Sequence, residues 1–177
     1  MKRTAHVALF AATLAVYLVM VLWSLPRIAE GAGGLIPFDL RPGGYSVDET
    51  RMFLGAIDAE TTAFYLTTQH RLDLLYPALL AASLAAGLIW SWRGWPRWLV
   101  GGFILLGVLG AAADYTENVR VAVMLRAGPE ALTPKMVAAA STASLTKASL
   151  TTLATLATLA LIVGLLQRAW RRLRSKG

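Results

Sequence analysis

The residues best suited to chemistry are polar and ionisable side chains that interrupt otherwise apolar stretches of the chain. A carboxyl group can move a proton in a reaction, and a lysine or histidine can stabilise the charge that develops. Ionisable groups at membrane depth are costly unless they are paired or hydrated, so such residues mark candidate sites for ligand binding or proton transfer. The candidates here are His70, Asp73, Tyr76, Asp114, Tyr115, Glu117, Asn118 and Lys147.

Spacing predicts that two of the carboxylates share one face of a helix. Gly107, Gly110, Asp114 and Glu117 are separated by three, four and three residues, the interval at which side chains line one face. The glycines on that face would let a neighbouring helix approach closely. Lys147 lies in a stripe of small and polar residues in the next apolar run. We therefore expect Lys147 to point inwards, within reach of at least one of the three carboxylates.

Asp73 has a second polar group besides its carboxylate. It precedes Pro77 by four residues, and proline has no N–H to bond the carbonyl at that position. The carboxylate or this carbonyl could receive a bound cation, the ammonium of Lys147, or the hydroxyl of Tyr76 or Tyr115.

Other kinds of site find little support in the sequence. The chain has no cysteine, which removes thiol catalysis and Cys-ligated metals. Its two histidines, His6 and His70, are expected on opposite sides of the membrane, so they predict neither a metal nor a haem site. Three carboxylates without a known ligand spacing are weak evidence for a hard cation, and no phosphate loop, zinc signature or hydrolase elbow is present. We expect no metal site, and no cofactor is indicated.

The composition is that of a membrane protein. Hydrophobic residues make up 56% of the 177 residues and charged residues 15%, which is far from ordinary soluble usage. Apolar stretches of at least about 18 residues match the hydrocarbon thickness that a helix crosses in about 20 residues. We predict an all-α integral membrane protein, a bundle of four transmembrane helices at about residues 5–25, 72–92, 98–120 and 136–167.

A polar segment, residues 27–69, separates the first two predicted spans. Its six acidic residues make it too charged for hydrocarbon. Glycine and proline predict a loop in its first part, and Ser46 followed by Glu49 matches a capping box. From about residue 46 the apolar spacing predicts an extracytoplasmic amphipathic helix. We expect this helix to rest on the bundle or the membrane surface rather than to move as a lid.

The distribution of charge predicts the orientation. Nine of the seventeen Lys and Arg residues lie near the N terminus, at residues 93–97 and in the tail 168–177, where no acidic residue occurs. Cytoplasmic loops carry this excess of basic residues. We expect a multi-pass protein of the cell (inner) membrane with both termini cytoplasmic and residues 126–135 outside. The basic residues then contact anionic headgroups, and we expect no nucleic acid partner. The first apolar run could be a signal peptide, but it lacks a clear cleavage pattern and we expect it to be retained.

The sequence is compatible with three functions. The leading hypothesis is an outer-leaflet polar cavity that binds a lipid-like or other small molecule, with the lipid bilayer as surroundings. The second is a membrane enzyme in which Asp73, Asp114 or Glu117 moves a proton on a lipid substrate while Lys147 or His70 stabilises charge. The third is an accessory subunit of a larger membrane complex, or a homo-oligomer, in which the charged residues only hold helices together.

Overall fold

The computed structural model describes residues 3–92 and 95–174. Over these residues the chain is helical and contains no strand, as expected. The α-helices are α1 (Arg3–Val19), α2 (Leu25–Gly31), α3 (Val47–Ala56), α4 (Ala59–Phe64), α5 (His70–Ser91), α6 (Arg97–Ala127) and α7 (Pro134–Arg174).

Four helical stretches are long and apolar enough to cross a membrane, which confirms that part of the prediction. They are Thr4–Gly31, Ala59–Ser91, Arg97–Ala127 and Pro134–Arg168. Such a chain is compatible with a multi-pass membrane protein. The predicted spans lie inside these stretches except that Trp92 follows the second, and each observed helix is longer than its predicted span.

Two of the four long helices contain a π-helical turn. Met20–Ser24 joins α1 to α2, and Tyr65–Gln69 joins α4 to α5. The residue just after each turn donates its N–H to a carbonyl five positions earlier. Leu25 donates to Met20, and His70 donates to Tyr65. Pro26 lies in the first turn of α2, where a missing N–H is tolerated. The first long helix therefore continues to Gly31 instead of ending at about residue 25.

In the segment between the first two long helices, a helix starts where the sequence predicts it, but this helix is shorter than predicted. Ser46 accepts the N–H of Glu49, and Glu49 accepts the N–H of Ser46, so the capping box is present at the start of α3. The helix then ends at Ala56 because Asp58 caps a new one, accepting the N–H of Thr61 at 2.7 Å. The apolar residues after Asp58 belong to the second long helix, which begins at Ala59 rather than near residue 72.

Small residues allow α7 to approach its neighbours closely, and at Gly110 this confirms the prediction. A Cβ on Gly110 of α6 would lie 2.8 Å from the hydroxyl oxygen of Thr151 on α7. A Cβ on Gly87 of α5 would lie 3.2 Å from the methyl group of Thr158. Both glycines therefore lie where α7 passes close to its neighbours, and at Gly110 a Cβ would require other atoms to move.

Residues 3–92 and 95–174 contain two apolar cores. One lies at the connection between α5 and α6 and is built on Leu88, Val100 and Leu161. The other lies at the opposite end, where the loop after α2 folds inward. Phe38 of this loop is fully buried, with its ring centroid 4.7 Å from that of Phe53 on α3. The polar residues described below lie between these cores along α5, α6 and α7.

Candidate functional site

Lys147 of α7 forms the charged centre of the site together with two carboxylates of α6. Its ammonium is ion-paired with Glu117 and lies 3.7 Å from the carboxylate of Asp114. The side chains of Lys147, Asp114 and Glu117 are 18%, 16% and 2% exposed. The prediction that Lys147 would lie within reach of a carboxylate is confirmed. We call these three residues the ion-pair cluster.

Glu117 is held from a second direction by the same helix that carries Lys147. The Ser144 hydroxyl donates to one carboxylate oxygen of Glu117, and Lys147 contacts the other. Ser144 is one turn before Lys147 on α7, so both can reach across to one residue of α6. The carboxylate is therefore fixed between a hydroxyl and an ammonium.

Asp73 is oriented by the two π-helical turns. The fully buried Ser24, in the first turn, donates to the side-chain carbonyl of Gln69 at 2.6 Å. Gln69, fully buried in the second turn, donates through its amide to Oδ1 of Asp73 at 2.8 Å. Turns of this type occur frequently at functional sites. Here they place two buried polar residues that fix one oxygen of a carboxylate.

The backbone carbonyl of Asp73 has no helical hydrogen-bond partner because Pro77 lacks an N–H, and it accepts a hydrogen bond from a side chain instead. Asn118 of α6 donates to it at 3.2 Å. Tyr115 donates instead to the carbonyl of Leu74 at 2.9 Å. Asn118 and Tyr115 thus attach α6 to neighbouring carbonyls of α5, next to the ion-pair cluster.

Within the described part of the chain, Tyr76 makes no side-chain hydrogen bond. Its ring stacks on that of Tyr17, with centroids 5.9 Å apart, so the geometry gives it a packing role between α5 and α1.

A small cavity connects the loop after α2 with the polar residues of α5 and α6. Its polar lining consists of Asp39, Tyr65, His70, Asp73 and Asn118. The Tyr65 hydroxyl donates to the carboxylate of Asp39. The cavity volume is about 10 Å³, about what one water molecule needs. We call it the acidic cavity, because two carboxylates and no Lys or Arg line it.

A second cavity of about 10 Å³ lies on the other side of the ion-pair cluster. Asp114 lines it together with Pro77, Gly110 and Thr151. Asp73 and Asp114 therefore open towards different cavities.

Tyr45 attaches the loop to α7 one turn before Ser144. Its backbone N–H donates to the hydroxyl of Ser141 at 3.0 Å. Its ring is buried, and that burial raises the pKa of the Tyr45 hydroxyl. The buried hydroxyl is therefore kept in its neutral form.

Several site residues were not candidates on sequence grounds: Ser24, Asp39, Tyr45, Tyr65, Gln69 and Ser144. Asp39 and Tyr45 lie in a loop whose glycines and prolines indicate no burial. Ser144 belongs to the small and polar stripe that predicted the inward face of Lys147, and this was the available signal. No local pattern marks Ser24 or Gln69.

The arrangement can hold a positively charged group or transfer a proton. The acidic cavity offers two carboxylates, a phenol and an imidazole, and the ion-pair cluster offers two carboxylates beside an ammonium. No three His, Cys, Asp or Glu residues within 3–92 and 95–174 are grouped so that they could hold a metal ion.

Comparison of the chain with protein-family models, with curated proteins and with solved structures finds no match.

Proposed function

We propose that this chain is a multi-pass protein of the cell (inner) membrane that binds a lipid-like small molecule through a cationic group. The observation that carries the proposal is the lining of the acidic cavity. It includes the carboxylates of Asp39 and Asp73 but no Lys or Arg. A cationic group would donate charge-assisted hydrogen bonds to both carboxylates.

The size of the cavity limits what can enter it. About 10 Å³ suits one water molecule or a group of similar size, such as a primary ammonium. Leu66, Val121 and Leu125 also line it, and they can contact the apolar part of a ligand next to its amino group. A complete lipid requires the side chains between α5 and α6 to separate.

The proposed orientation follows from charge. The basic residues at 93–97 and 168–177 face the cytoplasm together with both termini. The loop and α3 then lie outside, where α3 rests against the bundle or the membrane surface, and the acidic cavity opens in the outer leaflet. Reporter fusions after residues 45, 94, 130 and 177 should alternate in activity. An external readout at residue 177 would refute this orientation.

Native mass spectrometry of the purified protein tests the binding. Phosphatidylethanolamine, which has a primary ammonium, should bind more tightly than phosphatidylcholine with the same acyl chains. The preference should exceed about tenfold, since the trimethylammonium group cannot approach both carboxylates or donate a hydrogen bond. Equal binding of the two lipids would contradict recognition of the amine. Absence of any lipid or metabolite bound through the cavity would contradict the binding function itself.

Substitution at the cavity provides the matched control. Asp73→Asn keeps an oxygen that can accept from Gln69 and removes the charge, so it should abolish the preference while the protein remains folded. Asp48→Asn changes an exposed carboxylate on α3 that lies 3.9 Å from Arg51. It should leave lipid binding unchanged. Equal losses in both variants would point to a general effect of charge.

A second candidate function is proton transfer on the bound molecule. It is supported by Glu117, which lies between Lys147 and Ser144, as a general acid or base would when held near a charge-stabilising group. Conversion of a bound lipid during incubation would favour it. A fixed-stoichiometry protein that co-purifies with the chain would instead favour the role of accessory subunit.

A further inference from the structure

Arginine stacks on tryptophan at three places in the described part of the chain. The guanidinium of Arg97 lies 5.4 Å from the ring centroid of Trp92. That of Arg168 lies 4.7 Å from the ring centroid of Trp95. Arg174 lies 5.5 Å from the ring centroid of Trp170.

These pairs lie at one end of the bundle. Leu161 of α7 packs against Leu88 of α5 and Val100 of α6, so the part of α7 after Leu161 reaches the connection between α5 and α6. The contact of Arg168 with Trp95 of that connection shows the same. We call this surface the basic end, made of Trp92, Trp95, Arg97, Arg168, Trp170, Arg171 and Arg174.

The sequence leaves the basic end without acidic residues. No Asp or Glu occurs in residues 74–113 or 131–177. The opposite end has an arginine in a similar stack, with Arg27 lying 4.4 Å from the ring centroid of Phe64. That arginine is ion-paired with Glu60 at 2.9 Å. Arginine stacking thus occurs at both ends, but the chain supplies neighbouring carboxylates at only one of them.

We propose that the basic end binds the headgroup of an anionic phospholipid. A guanidinium that stacks on an aromatic ring keeps its positive charge, which attracts a phosphate group. Trp92 and Trp170 are exposed, and tryptophan favours the depth of the headgroups in a membrane. The stacked rings hold the guanidinium groups in place, so less side-chain freedom is lost when the lipid binds.

Native mass spectrometry in a neutral detergent tests this proposal without reference to the acidic cavity. The protein is titrated with phosphatidylglycerol and with phosphatidylcholine of the same acyl chains. Phosphatidylglycerol should bind more tightly, and higher ionic strength should weaken its binding but not that of phosphatidylcholine. Equal affinities, or a preference that does not change with salt, would overturn the proposal.

Variants locate the site. Arg168→Gln, Arg171→Gln and Arg174→Gln should each lower the affinity for phosphatidylglycerol by about fivefold, the effect of one basic residue near an anionic surface. Arg27→Gln is the matched control and should leave that affinity unchanged. An equal loss in Arg27→Gln would refute the assignment to the basic end. Displacement of the lipid by inorganic phosphate alone would assign the site to a soluble anion and would also refute it.

Discussion

The helices α5, α6 and α7 meet in two different ways along their length. Around Leu88, Val100 and Leu161, the apolar half, they meet through an apolar cluster. Nearer the loop, α6 and α7 meet through Asp114, Glu117 and Lys147. Apolar packing is thus sufficient to join these helices, whereas buried ions must lose their hydration. Substitutions can therefore test whether this second region, the polar half, serves anything besides packing.

The largest expected effect is on the polar half. Lys147→Met would leave Glu117 buried without an opposite charge, and breaking a buried pair from one side costs about 3–5 kcal/mol. The free energy of unfolding in detergent should fall by this amount. A variant as stable as the original chain would show that the ion pair contributes nothing.

The double variant separates packing from function. Lys147→Met combined with Glu117→Gln removes both charges and should recover most of the lost stability, because the two residues are in contact. Unchanged binding of phosphatidylethanolamine by the double variant would make the pair structural. Loss of binding in a folded double variant would make it part of the site.

The apolar half should behave in the opposite way. Leu161→Ala removes a 3% exposed side chain and should cost about 2 kcal/mol, the low end for such substitutions, because lipid rather than water surrounds the separated helices. Binding of phosphatidylethanolamine should be unchanged, in contrast with Asp73→Asn. Thermal unfolding and native mass spectrometry measure the two effects, and a loss of binding in Leu161→Ala would remove the distinction between the halves.

The contact between α6 and α7 can be tested by adding one methyl group. Gly110→Ala should cost about 1–3 kcal/mol, because the new Cβ would lie 2.8 Å from the Thr151 hydroxyl and 3.3 Å from its backbone nitrogen. Gly107→Ala is the control, since the nearest atom to its Cβ is 3.9 Å away on Ala154. The control should be neutral or slightly stabilising, as alanine is favoured over glycine in helices. Equal losses would contradict the difference in spacing.

The smallest expected effect concerns pH and α3, which lies against the polar half. Hydrogen bonds from Ser46, the backbone N–H first, lower the pKa of Glu49. The capping box is therefore fully formed above the ordinary glutamate pKa of about 4.3, and it is lost as the pH falls through the lower folded-state pKa. Hydrogen exchange of the α3 amides, corrected for the intrinsic rate, should show weaker protection at about pH 3 than at about pH 6. Amides near Leu161 serve as the control. Unchanged α3 protection would contradict this role of Glu49.

The features predicted correctly from sequence are those that depend on neighbouring residues. The apolar lengths determined four membrane-length helices, and the three-residue interval from Ser46 to Glu49 determined a helix start. The interval from Asp114 to Glu117 placed both carboxylates on one face of α6. Each depends on the geometry of a single helix, which the local sequence encodes.

The tertiary structure decided which of these groups meet, because the partners are far apart in the chain. It brings Asp39 from the loop to Tyr65, and it uses Asn118 rather than a tyrosine at the Asp73 carbonyl. It also places the π-helical turns of Ser24 and Gln69 opposite each other. Such turns have no sequence pattern of their own, and the hydrogen bond between these side chains exists only once the first two long helices have packed.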